Sequence, residues 1–400
     1  MTSTTRHLTN RLTGKSPGAM LLKALLLAAA FAPVESARAQ TFHVLYAFAG
    51  GADGSQPSGS LLLHGGSLYG VAGGGGAVGW GTVYRLDVET RQKTTLYSFG
   101  GAPSDGNSPR TGLVRDPAGN LYGTTDYGGS SDVGILFRVD SSGAETVIYN
   151  FSNTAQDGGG NPAGTLVRDS RGDLYGTTSD AGEGGVVFRL GSDGNFQTLA
   201  GFRSESDGFI LLDGLLLENG SLYGTAYAGG SFDFGVVFKV DPVNGGETVL
   251  YNFTGGADGG NPQGGLVSDG AGNLYGTTTG GGEPLCNCTG VVFKLNIATG
   301  QETVLYTFTI GDDGYLPLAT LVRDSAGNLY GTTYGGGAFN MGTVFKLDTS
   351  NNLTTLHAFT GGLDGENPTA ALTLDSQGRL YGTSAYGGAF NQGTVFVIAP

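Results

Sequence analysis

The tripeptide Leu-Tyr-Gly occurs seven times in this chain: Leu68-Tyr69-Gly70, Leu121-Tyr122-Gly123, Leu174-Tyr175-Gly176, Leu222-Tyr223-Gly224, Leu274-Tyr275-Gly276, Leu329-Tyr330-Gly331 and Leu380-Tyr381-Gly382. Its tyrosines are 53, 53, 48, 52, 55 and 51 residues apart. A steady period near fifty means one supersecondary unit used repeatedly, each copy burying its apolar surface against the next. That restricts the chain to a stacked or closed array of small units.

The fifth unit shows what the unit is. Gly265-Leu266-Val267 starts a short strand that ends in the turn Asp269-Gly270-Ala271-Gly272-Asn273. Leu274 to Thr278 form a second strand, Val291 to Leu295 a third and Thr303 to Phe308 a fourth, each bounded by turn residues. In the third strand, alternation places Val291, Phe293 and Leu295 on one face and Val292 and Lys294 on the other. Asp269 is placed to accept backbone N–H bonds within its turn. Glycine, at 76 of 400 residues, would suggest disorder if aromatic and β-branched residues did not recur at fixed offsets between the glycines. Four antiparallel strands in about fifty residues make a propeller blade.

The chain ends specify the closure. The fourth-strand pattern is found first at Phe42 to Phe48, ahead of every other element, and the chain stops at Pro400 just after the seventh third strand. The expectation is an all-β, seven-bladed β-propeller of four-stranded antiparallel blades, in which the N-terminal strand completes the last blade and removes an open edge.

Residues 1–39 stand outside the repeat. Arg6, Arg11, Lys15 and Lys23 precede the apolar run Ala24 to Val34, and Ala37-Arg38-Ala39 follows. This is the layout of a signal peptide cleaved after Ala39, and a start at Met20 would give a leader of ordinary length. The run is too short to span a membrane, which takes about 20 residues. Residues 40–400 are then a secreted or periplasmic propeller, and a monomer is expected. Loss of the leader removes five basic residues and one acidic, leaving 15 basic and 33 acidic residues, a net charge of −18. Such a field repels nucleic acid and anionic lipid.

The blocks Asn273-Leu274-Tyr275-Gly276-Thr277-Thr278, Gly342-Thr343-Val344-Phe345-Lys346-Leu347 and Asp258-Gly259-Gly260-Asn261-Pro262 resemble the GloVer tandem repeat of secreted bacterial proteins, across residues 41–400. The resemblance implies the propeller fold and export. Members of that family often end in a surface-anchoring segment; none is visible here, which points to a periplasmic or released protein. A weaker similarity is to NHL-type and lactonase-type propellers, which also follow a turn with Gly-Asn-Leu-Tyr. In metal-dependent lactonase-like members, acidic or amide side chains near the channel hold a divalent cation. Gly123-Thr124-Thr125 and its counterparts offer no such ligands.

Two sets of residues are candidates for function. An Asp-Gly pair recurs in each loop between a fourth strand and the next first strand, giving Asp53, Asp105, Asp157, Asp207, Asp258, Asp313 and Asp364. On a propeller these carboxylates form a ring on one face, suited either to turn chemistry or to a cation such as calcium. Turn chemistry is the expectation, because every copy shares the pair and calcium takes about 6–8 oxygens. Pieces such as Gly255-Gly256-Ala257-Asp258-Gly259 resemble calcium-binding nonapeptide repeats but lack their tandem period. The loops between second and third strands lie on the same face and vary more. They carry Trp80, Tyr127, Tyr227, Phe232, Phe234, Tyr334, Phe339, Tyr386 and Phe390. Aromatic rings stack on sugars and anchor peptides, or they wedge between blades.

Arg85, Arg138, Arg189, Lys239, Lys294 and Lys346 follow the third-strand aromatic and read as solvated or ion-paired positions. The only cysteines, Cys286 and Cys288, fall in a lengthened loop of an exported chain, where a local disulfide is expected. His43, His64 and His357 form no pair with metal-ligand spacing, and no nucleophile–base or phosphate-loop pattern is present after residue 40. The leading expectation is a non-catalytic module that binds an extracellular glycan, peptide or surface polymer. The alternatives are a polymer-acting hydrolase or lyase with polar groups at the channel mouth, and a surface protein assembled through cations.

Overall fold

The computed structural model describes residues 40–154, 158–180, 184–203, 206–282 and 289–400. Asp157, Cys286 and Cys288 lie outside the described residues. Seven antiparallel sheets form a ring with no α-helix among the described residues. Blade three has the fullest ladder, running outward through Gly160–Arg168, Leu174–Asp180, Val186–Leu190 and Phe196–Gly201.

Each residue of Leu-Tyr-Gly has a separate job. The leucine is buried between blades, with Leu68, Leu222 and Leu274 fully enclosed. The tyrosine hydroxyl of five copies donates to the aspartate that opens the preceding turn: Tyr122 to Asp116 (3.1 Å), Tyr175 to Asp169 (3.3 Å), Tyr275 to Asp269 (3.3 Å), Tyr330 to Asp324 (3.0 Å) and Tyr381 to Asp375 (3.2 Å). The glycine lies beneath the third-strand aromatic. A Cβ on Gly276 would sit 2.6 Å from Cζ of Phe293, and one on Gly382 would sit 2.4 Å from Cζ of Phe396. That contact explains why no larger residue follows the tyrosine in any copy.

The third-strand aromatic in turn meets a phenylalanine from the end of the preceding outer strand. Phe253–Phe293 and Phe308–Phe345 pack edge to face with centroids 5.2 Å apart, and Phe48–Tyr84 does the same at 5.2 Å. Such pairs add roughly 0.5–1.5 kcal/mol beyond their burial. The core is therefore divided into seven seams, one between each pair of blades.

This arrangement changes the expectation for the third strand. Val292 is as buried as Val291, Phe293 and Leu295. The odd residues face the seam with blade four, while Val292 enters the seam with blade six beside Phe308 and Phe345. A blade has a neighbour on both faces, so simple alternation of inside and outside does not apply.

The ring closes as the sequence requires. Thr41–Ala47 pairs with Thr394–Ala399 as the outer strand of blade seven. It carries the register shift between Val44 and Tyr46 that the other outer strands show opposite the third-strand aromatic, for example between Val292 and Phe293. A bulge at that place bends and twists the exposed edge, which hinders pairing with another chain. Innermost strands are shorter than the sequence suggests; that of blade five is only Val267–Ser268. Gly264 and Gly265 leave the ladder because they press on the next blade, where a Cβ on Gly264 would lie 2.7 Å from the Ala319 carbonyl oxygen.

Candidate functional site

The loops that enter each blade and the loops between its second and third strands meet on one face. They are joined by bridges such as Gly260 with Gly280, Tyr315 with Gly335, and Glu366 with Tyr386. We call this the loop face and the opposite side, made of tight turns, the turn face.

The Asp-Gly carboxylates of the loop face are engaged by their own surroundings. Asp53 accepts from the Tyr46 hydroxyl (2.6 Å), the Ala49 N–H (2.8 Å) and Lys93 Nζ (3.0 Å). Asp105 accepts from Tyr97 (2.7 Å) and from the Gly106 N–H (2.6 Å). Asp258 accepts from Tyr251 (3.0 Å), the Thr254 N–H (2.9 Å) and the Thr254 hydroxyl. Asp313 repeats this set with Tyr306 and Thr309, and Asp364 with His357 and Thr360. Asp207 is half-buried. The bonds from Tyr46, Tyr97, Tyr251, Tyr306 and His357 tie the outer strand of one blade to the loop entering the next. Among the described residues no three His, Cys, Asp or Glu side chains gather as a metal site.

The loop aromatics divide into three kinds. Phe232, Phe339 and Phe390 are 55%, 56% and 59% exposed at the tips of similar turns. The next residue, Asp233, Asn340 or Asn391, adopts a left-handed conformation (φ 65°, 58° and 54°). Its side-chain oxygen accepts the N–H of Gly229, Gly336 or Gly387. Asp and Asn tolerate this conformation well because their short side chains bond locally. The phenylalanines are thus held out on rigid supports.

Trp80 and Phe234 follow the tip and lean on the neighbouring blade. The indole covers Gly101, where a Cβ would lie 2.9 Å from Nε1, and Phe234 covers Gly255 at 2.5 Å. Trp80 keeps a partly exposed edge, while Phe234 is half-buried. Tyr127, Tyr334 and Tyr386 are exposed nearer the start of their loops, and Tyr227 at the corresponding place is half-buried. Tyr127 borders the central channel.

That channel, about 1170 Å³, is lined by the innermost segment of all seven blades. Thr165 and Asp213 are among the side chains that stitch it together. The Thr165 hydroxyl lies 3.1 Å from that of Ser60 and accepts the Gly112 N–H at 3.0 Å. Asp213 accepts the N–H of Gly214 and of Gly265 and the hydroxyl of Thr320, each at 2.6 Å, and so links blades four, five and six. Burial pushes its carboxyl up, and the three donors oppose that shift.

Arg110 and Asp126 stand at the channel mouth beside Tyr127. Arg110 Nε is 3.3 Å from Asp126 Oδ2. Burial raises the Asp126 carboxyl to about 6 even with Arg110 opposing the shift. Perturbed carboxyls in a cleft mark candidate functional sites.

Sequence reasoning missed Asp213, Arg110 and Asp126, although a signal was present. Two residues before the inner-strand leucine, the seven copies read Gly59, Thr111, Gly164, Asp213, Gly264, Ala319 and Ala370. One carboxylate among small residues stands out once that position is known to face the axis. Polar groups therefore do converge in the channel, which glycine and aliphatic residues do not line alone.

The profile of the Gloeobacter/Verrucomicrobia repeat matches residues 34–182, 117–286 and 215–400. No curated protein matches the chain. Among solved structures, an oligogalacturonate lyase in complex with manganese has a TM-score of 0.52 and 13% identity, covering 90% of this chain and 90% of its own. The oligogalacturonate lyase of Vibrio parahaemolyticus gives 0.50 and 13%, covering 90% and 97%. A chain of a nidogen/laminin complex gives 0.44 and 19%, covering 70% and 91%. At such identities the likeness is one of fold. The matched segments overlap to span every blade, and the chain belongs to the Gloeobacter/Verrucomicrobia repeat family.

Proposed function

We propose that this propeller is an exported binding module whose loop face engages an extracellular glycan. One observation carries the reading. Eleven large apolar side chains are exposed among the described residues, and all but Val243 lie in loops of this one face: Val78, Trp80, Tyr127, Phe232, Ile310, Tyr334, Phe339, Leu363, Tyr386 and Phe390. Scattered exposed apolar residues need no explanation, but their concentration on one face supports reading it as an interaction surface. Rigid rings at tip positions keep the entropy lost on binding low. Flat aromatic faces suit the C–H faces of sugar rings, and no basic field is needed for an uncharged chain. The signal-peptide layout of residues 1–39 supports export.

The test is retention of the purified protein on insoluble polysaccharides. Replacing Phe232, Phe339 and Phe390 with Ala should reduce retention at least about tenfold, or about 1.4 kcal/mol. Circular dichroism should stay unchanged. Undiminished retention by the triple variant would sink the proposal.

A further inference from the structure

We propose that the channel mouth holds a single carboxylate-bearing sugar residue, with Arg110 as the group that pairs with its carboxylate. This rests on the loop face being a glycan-binding surface and names the sugar it selects.

The first support is a guanidinium left open. Arg110 Nε lies 3.3 Å from Asp126 Oδ2, and neither Nη group makes a hydrogen bond among the described residues. Its side chain is 59% exposed where it borders the channel. Two parallel N–H donors match a carboxylate, and the pairing is directional in a way that a lysine ammonium is not. The fold does not call for arginine here. The other blades carry Ser58, Ala163, Leu212, Gln263, Leu318 and Thr369 at this position.

The second support is Asp126. Its backbone is fixed: the N–H donates to the Ser108 carbonyl (3.2 Å), and its carbonyl accepts Asn161 Nδ2 (3.0 Å). Its carboxyl takes no part in either bond and has Arg110 as its one partner among the described residues. By contrast, Asp258 and Asp313 each collect three donors. An ion pair on the Nε side leaves the two Nη groups for a ligand carboxylate, which makes Asp126 a positioning residue.

The third support is the setting. Tyr127 is the next residue and presents an exposed ring beside the pair. The channel is large enough for one or two sugar units, since small-molecule sites span roughly 300–1,000 Å³. The acidic excess of the chain repels a polyanion. One acidic residue, at a chain end or on a neutral chain, satisfies both Arg110 and that field.

Titration calorimetry with methyl glucuronide, methyl glucoside and acetate tests the proposal. The glucuronide should bind about tenfold more tightly than the glucoside, a difference of about 1.4 kcal/mol. Arg110→Gln should remove that preference. Asp126→Ala should weaken glucuronide binding severalfold, and Asp126→Glu, which keeps the charge that pairs with Arg110, should restore part of it. Equal affinity for the two sugars, a preference that survives Arg110→Gln, or acetate binding as tightly as the glucuronide would each overturn the proposal. Polysaccharide retention by a protein with no preference for the acid overturns it and leaves the loop-face proposal standing.

Discussion

The two faces of the ring treat their exposed groups in opposite ways. On the turn face, carboxylates are consumed by the backbone that carries them. Asp324 accepts the Asn328 N–H (2.8 Å), Asn328 Nδ2 (2.7 Å) and the Tyr330 hydroxyl (3.0 Å). Asp116, Asp269 and Asp375 close their turns in the same way. Only Val243 exposes a large apolar side chain there, among the described residues. The loop face holds its loops just as firmly but leaves rings in water and Arg110 half-engaged. Local order is common to both faces; groups without an internal use are concentrated on one.

Cutting one carboxylate on each face sharpens this contrast. Asp324→Ala strands three donors and should cost roughly 2 kcal/mol, measured by denaturant unfolding. Asp126→Ala should cost under about 0.5 kcal/mol, because it removes a poorly solvated charge with one partner. Equal losses would break the comparison. The pH dependence separates them as well. Burial pushes the Asp324 carboxyl up, but hydrogen bonds from Asn328 and Tyr330 outweigh it and hold it below the usual range. Its contribution is present above the unfolded pKa and is lost as pH falls through the folded one. Asp126, raised to about 6, favours the native state at low pH and withdraws that support as pH rises from about 4 to 6.

A smaller effect concerns polar groups left open away from the loop face. The contrast holds only if these are structural costs without function. The Tyr84 hydroxyl is fully buried and has no partner, where the other six copies have Phe137, Phe188, Phe238, Phe293, Phe345 and Phe396. Tyr84→Phe should therefore stabilise the protein by about 1 kcal/mol and leave polysaccharide retention unchanged.

Glu302 is a milder case. Burial, then the nearby Asp258 charge, raises its carboxyl to about 7, as burial and Asp105 or Asp207 do for Glu145 and Glu247. The folded state holds these protons more tightly than the unfolded chain, so stability falls as pH climbs from about 4.5 to 7. Glu302→Gln should raise Tm near pH 8 and leave it unchanged near pH 5. Blade one shows the natural remedy: Lys93 occupies this outer-strand position and pairs with Asp53 at 3.0 Å. Loss of retention in the Tyr84 variant would place function outside the loop face.

The sevenfold comparison made the scaffold legible because every blade solves the same packing problem. Leucine in the seam, glycine under the aromatic and the displaced Phe42 to Phe48 strand all repeat, so the ring and its closure follow from spacing. The site was less legible because its signals are departures from the repeat, and a departure has meaning only in a known place. Asp213 reads as one acid among many until the axis is located. Trp80 and Phe234 look like Phe232 in sequence, yet they cover Gly101 and Gly255 while Phe232 faces water. Position relative to one left-handed residue, Gly79 before Trp80 and Asp233 between Phe232 and Phe234, separates them, and a one-dimensional count of aromatics does not show it.

The smallest expected effect is the most discriminating. Replacing Phe232, Phe339 and Phe390 together with Ala should change unfolding stability by less than about 0.5 kcal/mol. Each ring is more than half exposed, so little apolar area returns to water when it is removed. The turns keep their shape through Asp233, Asn340 and Asn391, whose bonds to Gly229, Gly336 and Gly387 do not involve the rings. Phe253→Ala, at a seam, should by contrast cost about 3–5 kcal/mol. A clear loss of stability in the triple variant would make the tips part of the scaffold. Unchanged stability together with lost retention leaves ligand contact as the remaining role for three phenylalanines held rigidly in water.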